Sequence, residues 1–178
     1  MREAKPSAPP PPPPLPSWNR AIDAADMSYS GAGGCTATKT GGDGYECDAS
    51  AVSQHPVNGF KLRVNYNGAS YNGVCIGLIS YPSHFTPTDD NCDKSNMKSF
   101  CMNTSTGSLY GNGVSGKRYS SAVPDGALVE CVRDRVNRNI SFVVNGVDQG
   151  VAFTGVPDEE LHALANFYTL KVSVTFVQ

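Results

Sequence analysis

A histidine and a cysteine lie close together in one polar segment, and this pairing could support chemistry. His84 and Cys92 both fall between residues 82 and 98. An imidazole beside a thiol can activate a nucleophile, and both groups can ligate zinc. However, the chain has no CxxC pair, and no histidine stands at metal-ligand spacing from a cysteine. We therefore expect no metal site, no cofactor and no enzyme activity, and a His84–Cys92 reaction is the least favoured hypothesis.

Two further motifs match only part of a known pattern. Gly111 to Gly116 reads GNGVSG, which fits the dinucleotide-binding GxGxxG. That fingerprint needs a helix after the glycines, and Pro124 and the polar residues before it do not favour one. The acidic segment from Asp89 has Lys94 and Phe100 where a calcium-binding loop requires Gly and Glu. We interpret both segments as loops.

Charge and hydropathy favour a soluble intracellular protein. The 178 residues carry a formal net charge of −2 without a basic stripe, so we expect no nucleic-acid partner. The most basic stretch, Arg133 to Arg138, is interpreted as a solvated strand end or turn. No apolar run approaches the length of a membrane span, and the N-terminus lacks the apolar core of a secretory signal. We therefore expect a cytoplasmic location, no membrane partner and reduced thiols for the six cysteines.

Proline and glycine divide the chain into a tail, residues 1–17, and a body, residues 18–178. Eight of the 13 prolines fall in the first 16 residues, and all 18 glycines follow residue 30. Residues 6–16 read PSAPPPPPPLP, which favours polyproline II and cannot build a core. This tail is either a ligand for an SH3, WW or profilin-type groove or a stiff spacer. Trp18, directly after it, is expected to anchor the edge of the body.

The body alternates apolar and polar residues with a period of two, which is typical of half-buried strands. Phe60 to Tyr66 and Leu170 to Phe176 show it most clearly, and Asn145-Gly146 is a strong hairpin signal. We expect further strands at 73–80, 127–132, 140–144 and 147–153. Residues 158–165 favour either a short helix or a strand, and residues 82–98 and 107–124 are expected to be long loops.

The C-terminal half resembles the SPRY domain, the core of the B30.2 family. The resemblance rests on Leu128 to Asp134, then Ile140-Ser141-Phe142, Asn145-Gly146 and Gly150 to Phe153. It implies an all-β fold, a bent two-sheet antiparallel β-sandwich, here with a disordered or extended proline-rich N-terminal tail. It also implies a non-catalytic protein–protein interaction module that acts as an adaptor. The alternative is a structural subunit that docks within a large multiprotein assembly.

The resemblance further implies that loops at one end of the sandwich bind a peptide or protein partner. Aromatic side chains with polar tips suit such a surface, although each could instead fill the end of the sandwich. For Phe167 the two interpretations are equally favoured. The positions that match the family's pocket are Tyr71, Asn72, Tyr81, His84, Phe85, Asn166, Phe167 and Tyr168.

Overall fold

The chain folds into β-strands in a computed structural model that describes residues 14–21, 26–42, 49–69, 73–83, 85–86, 91–92 and 98–178. Within these residues the only helical element is a 3-10 turn at Ala32–Gly34. None of the helical structure in the described ranges is long and apolar enough to cross a membrane. The described part of the chain forms thirteen strands: β1 Met27–Ser30, β2 Thr36–Lys39, β3 Ala49–Val52, β4 Gly59–Asn65, β5 Val74–Ile79, β6 Ser99–Asn103, β7 Ser108–Gly111, β8 Val114–Arg118, β9 Leu128–Asp134, β10 Asn139–Val144, β11 Val147–Thr154, β12 His162–Phe167 and β13 Ser173–Phe176.

The strands form two antiparallel sheets, as the resemblance noted in the sequence implies. The seven-stranded sheet has the order β1-β2-β13-β4-β9-β10-β11, and the six-stranded sheet has the order β3-β12-β5-β6-β7-β8. Strand β13 pairs with both β2 and β4, so the last strand of the chain is inserted between two earlier ones. The first three strands are divided between the sheets: β1 and β2 belong to the seven-stranded sheet, and β3 belongs to the six-stranded sheet.

Most strand predictions are confirmed, and two segments differ. Residues 107–124, expected as a loop, contain the β7–β8 hairpin, whose turn is Asn112-Gly113 with φ of 50° and 78°. The left-handed backbone that this turn needs suits asparagine and glycine, as it does at Asn145-Gly146. Strand β13 begins only at Ser173, because Lys171 has a φ of 71° and turns the chain just before it.

Side-chain alternation sends one face of each sheet into a shared core. On β10, Ile140 and Phe142 are fully buried while Val143 is only partly covered, as expected. Phe153 is 4% exposed and its ring lies 5.5 Å from that of Phe100, edge to face. Aromatic pairs in this arrangement stabilise a core beyond the area that they bury. The core therefore joins β11 of one sheet to β6 of the other.

Trp18 anchors the edge of the sandwich, as the sequence analysis expects. Its side chain is 1% exposed, and its ring stacks on Phe176 with centroids 4.4 Å apart. The indole Nε1 donates a hydrogen bond to the backbone oxygen of Cys35 at 3.0 Å. The backbone pairs with Ser53, directly after β3 of the six-stranded sheet, while Phe176 belongs to the seven-stranded one. Trp18 therefore connects the two sheets.

Replacing Trp18 by Ala should lower the free energy of unfolding by about 3–5 kcal/mol, because it empties a large buried site and removes a hydrogen bond. Urea denaturation followed by circular dichroism measures the loss. Leu15→Ala is the matched control, because Leu15 is 38% exposed and its loss should change stability by less than about 0.5 kcal/mol. A loss at Trp18 no larger than at Leu15 would show that the tryptophan does not hold the sheets together.

Candidate functional site

The outer face of the six-stranded sheet carries a second, smaller cluster of buried side chains. The alternation that sends Val74, Ile76 and Leu78 into the core turns Cys75 and Ile79 of β5 to the other side. We call this surface the outer face. Its fully buried members are Val52, Cys75, Ile79, Cys92, Cys101 and Leu164, and its partly buried aromatics are Tyr81, Phe85, Tyr110 and Tyr168.

Gly77 lies midway along β5 and leaves room for the neighbouring strand. A Cβ atom at this position would collide with the backbone oxygen of Phe100 on β6. The outer face therefore has no side chain at its centre on β5, and Tyr81, Phe85 and Tyr168 follow the ends of its strands.

One margin holds three rings, Tyr81, Phe85 and His162, which we call the Tyr81 cluster. The Tyr81 ring lies 5.7 Å from Phe85 and 5.0 Å from His162. Tyr81 and Phe85 are held together by a turn, in which the Phe85 N–H donates a hydrogen bond to the backbone oxygen of Pro82. Ring nitrogen Nδ1 of His162 lies 2.8 Å from the oxygen of Ser53, which fixes the imidazole. Tyr81 and Phe85 are only partly buried, so fixed aromatic surface faces solvent here.

The opposite margin holds Tyr168, directly after β12. Its N–H donates to the oxygen of Gly73, and a Cβ on Gly73 would lie only 2.7 Å from that of Tyr168. The Cys75 thiol donates to the Tyr168 hydroxyl at 3.6 Å, and Lys39 Nζ donates to the Tyr168 backbone oxygen at 3.4 Å. Tyr168 thus lies against the sheet and exposes only part of its ring.

The neighbouring positions of β12 are buried. Phe167 is fully buried in the main core, so of its two interpretations the structure places it in the packing role. Asn166 is fully buried on the outer face, where its amide nitrogen donates to the Ser50 hydroxyl at 2.7 Å. Tyr71, Asn72 and His84 lie outside the described residues.

The register of β5 and β12 separates the site residues that the sequence analysis groups at one end. Ile79 pairs with His162, and Val74 pairs with Phe167. Tyr81 and Phe85 therefore follow one end of β5, while Tyr168 lies at the other. Six residues of strand span roughly 20 Å. The structure thus places these three residues on two separate margins of the outer face.

The thiol of Cys92 is buried against two others. It hydrogen-bonds with Cys101 and Cys75, and burial, followed by these neighbours, raises the pKa of the Cys92 thiol well above its ordinary value. A nucleophilic cysteine needs the opposite, a lowered pKa and an open surface. The Cys92 environment therefore does not favour the His84–Cys92 reaction. No group of three or more His, Cys, Asp or Glu side chains among the described residues is arranged to hold a metal ion.

Arg133 is a buried charged residue that the sequence analysis missed. The expectation of a solvated strand end or turn holds for Arg135, which is exposed, but it is wrong for Arg133, which is 7% exposed. Arg133 continues the inward positions of β9 after Val129 and Cys131, while Val132 between them is 38% exposed. Strict alternation over the whole of β9 could have revealed this, since it places residue 133 on the inner face.

Comparison with known proteins gives consistent matches. The family model described as the SPRY domain matches residues 59–178. The SPRY domain of human HERC1 is 23% identical, with a TM-score of 0.67 over 88% of this chain and 96% of that one. The TRIM65 PSpry domain is 11% identical, with a TM-score of 0.67 over 93% of both chains. The neuralized-NHR1 domain of Drosophila melanogaster is 14% identical, with a TM-score of 0.65 over 93% of this chain and 99% of that one.

Buried thiols should resist alkylation in the folded protein. Burial raises the pKa of both Cys92 and Cys131, so little thiolate forms at about pH 8, whereas Cys35 is partly exposed. We expect iodoacetamide to modify Cys35 at least about tenfold faster than Cys92 or Cys131, as measured by peptide mass spectrometry. The difference should vanish in concentrated urea. Equal rates in the folded state would show that Cys92 is open to solvent.

Proposed function

The chain belongs to the SPRY domain family, whose members are protein-interaction modules, and from this premise we propose that it is a non-catalytic adaptor that binds a peptide or protein surface. The sandwich supplies a rigid base, and the residues that follow its strands supply the contacts. This division is common in binding proteins, because loops tolerate variation that strands do not.

The observation that carries the proposal is the Tyr81 cluster. The Tyr81 ring packs against Phe85 and His162, and the Ser53 oxygen holds the His162 imidazole, so little conformational entropy is lost when a partner covers the cluster. Tyrosine is enriched among residues that dominate binding energy, because it offers a large apolar face and a polar tip. His84, directly before Phe85, is proposed as part of the same surface.

Tyr168 marks the second candidate surface, on the opposite margin of the outer face, and Tyr71 and Asn72 are proposed from the sequence as part of it. The Tyr168 hydroxyl already accepts a hydrogen bond from the Cys75 thiol, and the side chain lies against Gly73, so less of it is available to a partner. We therefore rank the Tyr81 cluster first. The proline-rich residues 6–16 would add a separate ligand for an SH3, WW or profilin-type groove. The intracellular, cytoplasmic setting expected from the sequence suits both activities.

A selection from random peptides tests the proposal and itself supplies the ligand to be measured. The peptides are selected on the immobilised protein, and the enriched sequences are synthesised and titrated by fluorescence anisotropy. Tyr81→Ala and Phe85→Ala should each raise the dissociation constant at least about tenfold, because each removes a central aromatic contact. Tyr168→Ala should change it by less than about threefold, because that ring lies on the other margin.

The matched control is Val147→Ala, a 63% exposed apolar residue at the start of β11, on the other sheet. Thermal unfolding of each variant separates a lost contact from a lost fold. Greater sensitivity at Tyr168 than at Tyr81 would move the site to the opposite margin. Sensitivity at Val147 alone would favour the structural-subunit alternative, in which the sandwich docks through an exposed sheet.

A further inference from the structure

A cavity of about 130 Å³ lies at the end of the sandwich where β9 finishes. Its walls come from three separate parts of the chain: residues 56–58 before β4, Arg133 and Arg135 at the end of β9, and Glu160-Leu161 before β12. Since a water molecule occupies about 30 Å³ of liquid, the cavity can hold a small polar group of a partner. It belongs to the end that carries the Tyr81 cluster, because Leu161 directly precedes His162.

Arg133 is buried in this wall without a carboxylate partner. Its Nη2 donates to the backbone oxygens of Pro157 and Glu159, both at 2.7 Å. A guanidinium has five N–H donors, so these two bonds leave the donors on Nε and Nη1. Neither atom makes a hydrogen bond, and Arg133 makes no ion pair, among the residues that the structure describes.

The arrangement is costly for a buried cation. Carbonyl dipoles compensate only part of a buried charge, and a charge in a protein interior usually has a counter-ion. Burial, and then repulsion from Arg135, lower the pKa of Arg133 below its ordinary range. The position thus lacks one negative charge.

The other charged groups at the cavity do not supply it. Arg135 is engaged by Asp158, whose carboxylate accepts from Nε at 2.7 Å and also from Nη2. Glu159 pairs with Lys98 at 3.1 Å. Glu160 lines the cavity but is exposed, so water solvates its carboxylate. The charge balance leaves a place for one carboxylate, and the nearby acidic groups disfavour a doubly charged phosphate.

The geometry points to this cavity as the recognition site for a single side-chain carboxylate, that of an Asp or Glu on the partner protein. The planar fork formed by Nε and Nη1 matches the two oxygens of a carboxylate, and the resulting charge-assisted pair supplies the missing counter-ion. The inference deepens the proposed function and takes its biological meaning from it. An adjoining groove of about 290 Å³ runs from Asn58 along β4 and β9 to Gln178, and offers a path for the chain that carries the acid.

The test is a nuclear magnetic resonance titration of the ¹⁵N-labelled full chain with propionate, whose one carboxylate represents an acidic side chain. The Arg133 Nε–H signal, identified by its absence in Arg133→Lys, should shift saturably in the millimolar range. The backbone amides of Asn58 and Leu161, which line the cavity, should shift with it. Propionamide, which has the same shape without the charge, should produce no saturable shift. No partner is needed, so the result is independent of the Tyr81 experiment.

Variants distinguish the fork from general charge. Arg133→Lys keeps the charge but loses the planar donors, so half-saturation of the Asn58 and Leu161 shifts should require at least about tenfold more propionate. Arg118→Lys, the same change at an exposed position of β8, should leave the titration unchanged. The proposal is overturned by any of four results: no saturation with propionate, an equal response to propionamide, tighter binding of inorganic phosphate, or an equal loss in Arg118→Lys. If Arg133→Lys does not fold, the three ligand titrations of the wild type still decide.

Discussion

The insertion of the last strand between β2 and β4 is the constraint on which the rest of the structure depends. Antiparallel pairing on both sides of β13 joins strands that lie far apart in sequence, so neither the N-terminal strands nor β4 complete the seven-stranded sheet without the C-terminus. Phe176 then places its ring between Trp18 and Phe60, with centroids 4.4 Å and 6.3 Å away. Since Trp18 also pairs with Ser53, closing one sheet fixes the edge of the other.

Pairing of this kind also determines which side chains reach the surface. The side chains of β12 alternate between the two faces of the sheet, so Phe167 enters the core and Tyr168 lies on the outer face. The register of β12 with β5 determines the distance between Tyr168 and Tyr81. A slip of one residue would exchange the two faces and bury the tyrosine in place of the phenylalanine. The separation of the two candidate surfaces is thus a consequence of backbone pairing, not of loop conformation.

The sequence predicts those parts of the fold in which local pattern and burial agree. Strands β4, β9 and β10 alternate apolar and polar residues cleanly. The turn at Asn145-Gly146 predicts that β11 follows β10 in a hairpin. Asn112-Gly113 is the same turn signal, but polar, glycine-containing β7 and β8 lack the apolar alternation that would identify them as strands. The early strands are only four residues each, and β2 and β3 are completed by partners distant in sequence, β13 and β12. The candidate site follows the same rule: residue types select Tyr81 and Phe85 as candidates, but only the pairing register shows that Tyr168 lies on the opposite margin.

The burial of Arg133 shows where prediction from residue type fails. Composition alone assigns an arginine to solvent and a valine to the core, yet position 133 faces inward and Val132 faces outward. Backbone pairing determines which face of the sheet each side chain occupies, because β9 continues its pairing with β10 through Arg133 and Asp134. The arginine is retained there by the Pro157 and Glu159 oxygens, which it holds in place at the entrance to β12. This structural role uses only Nη2. One buried side chain thus fixes the segment that leads into His162 and the Tyr81 cluster.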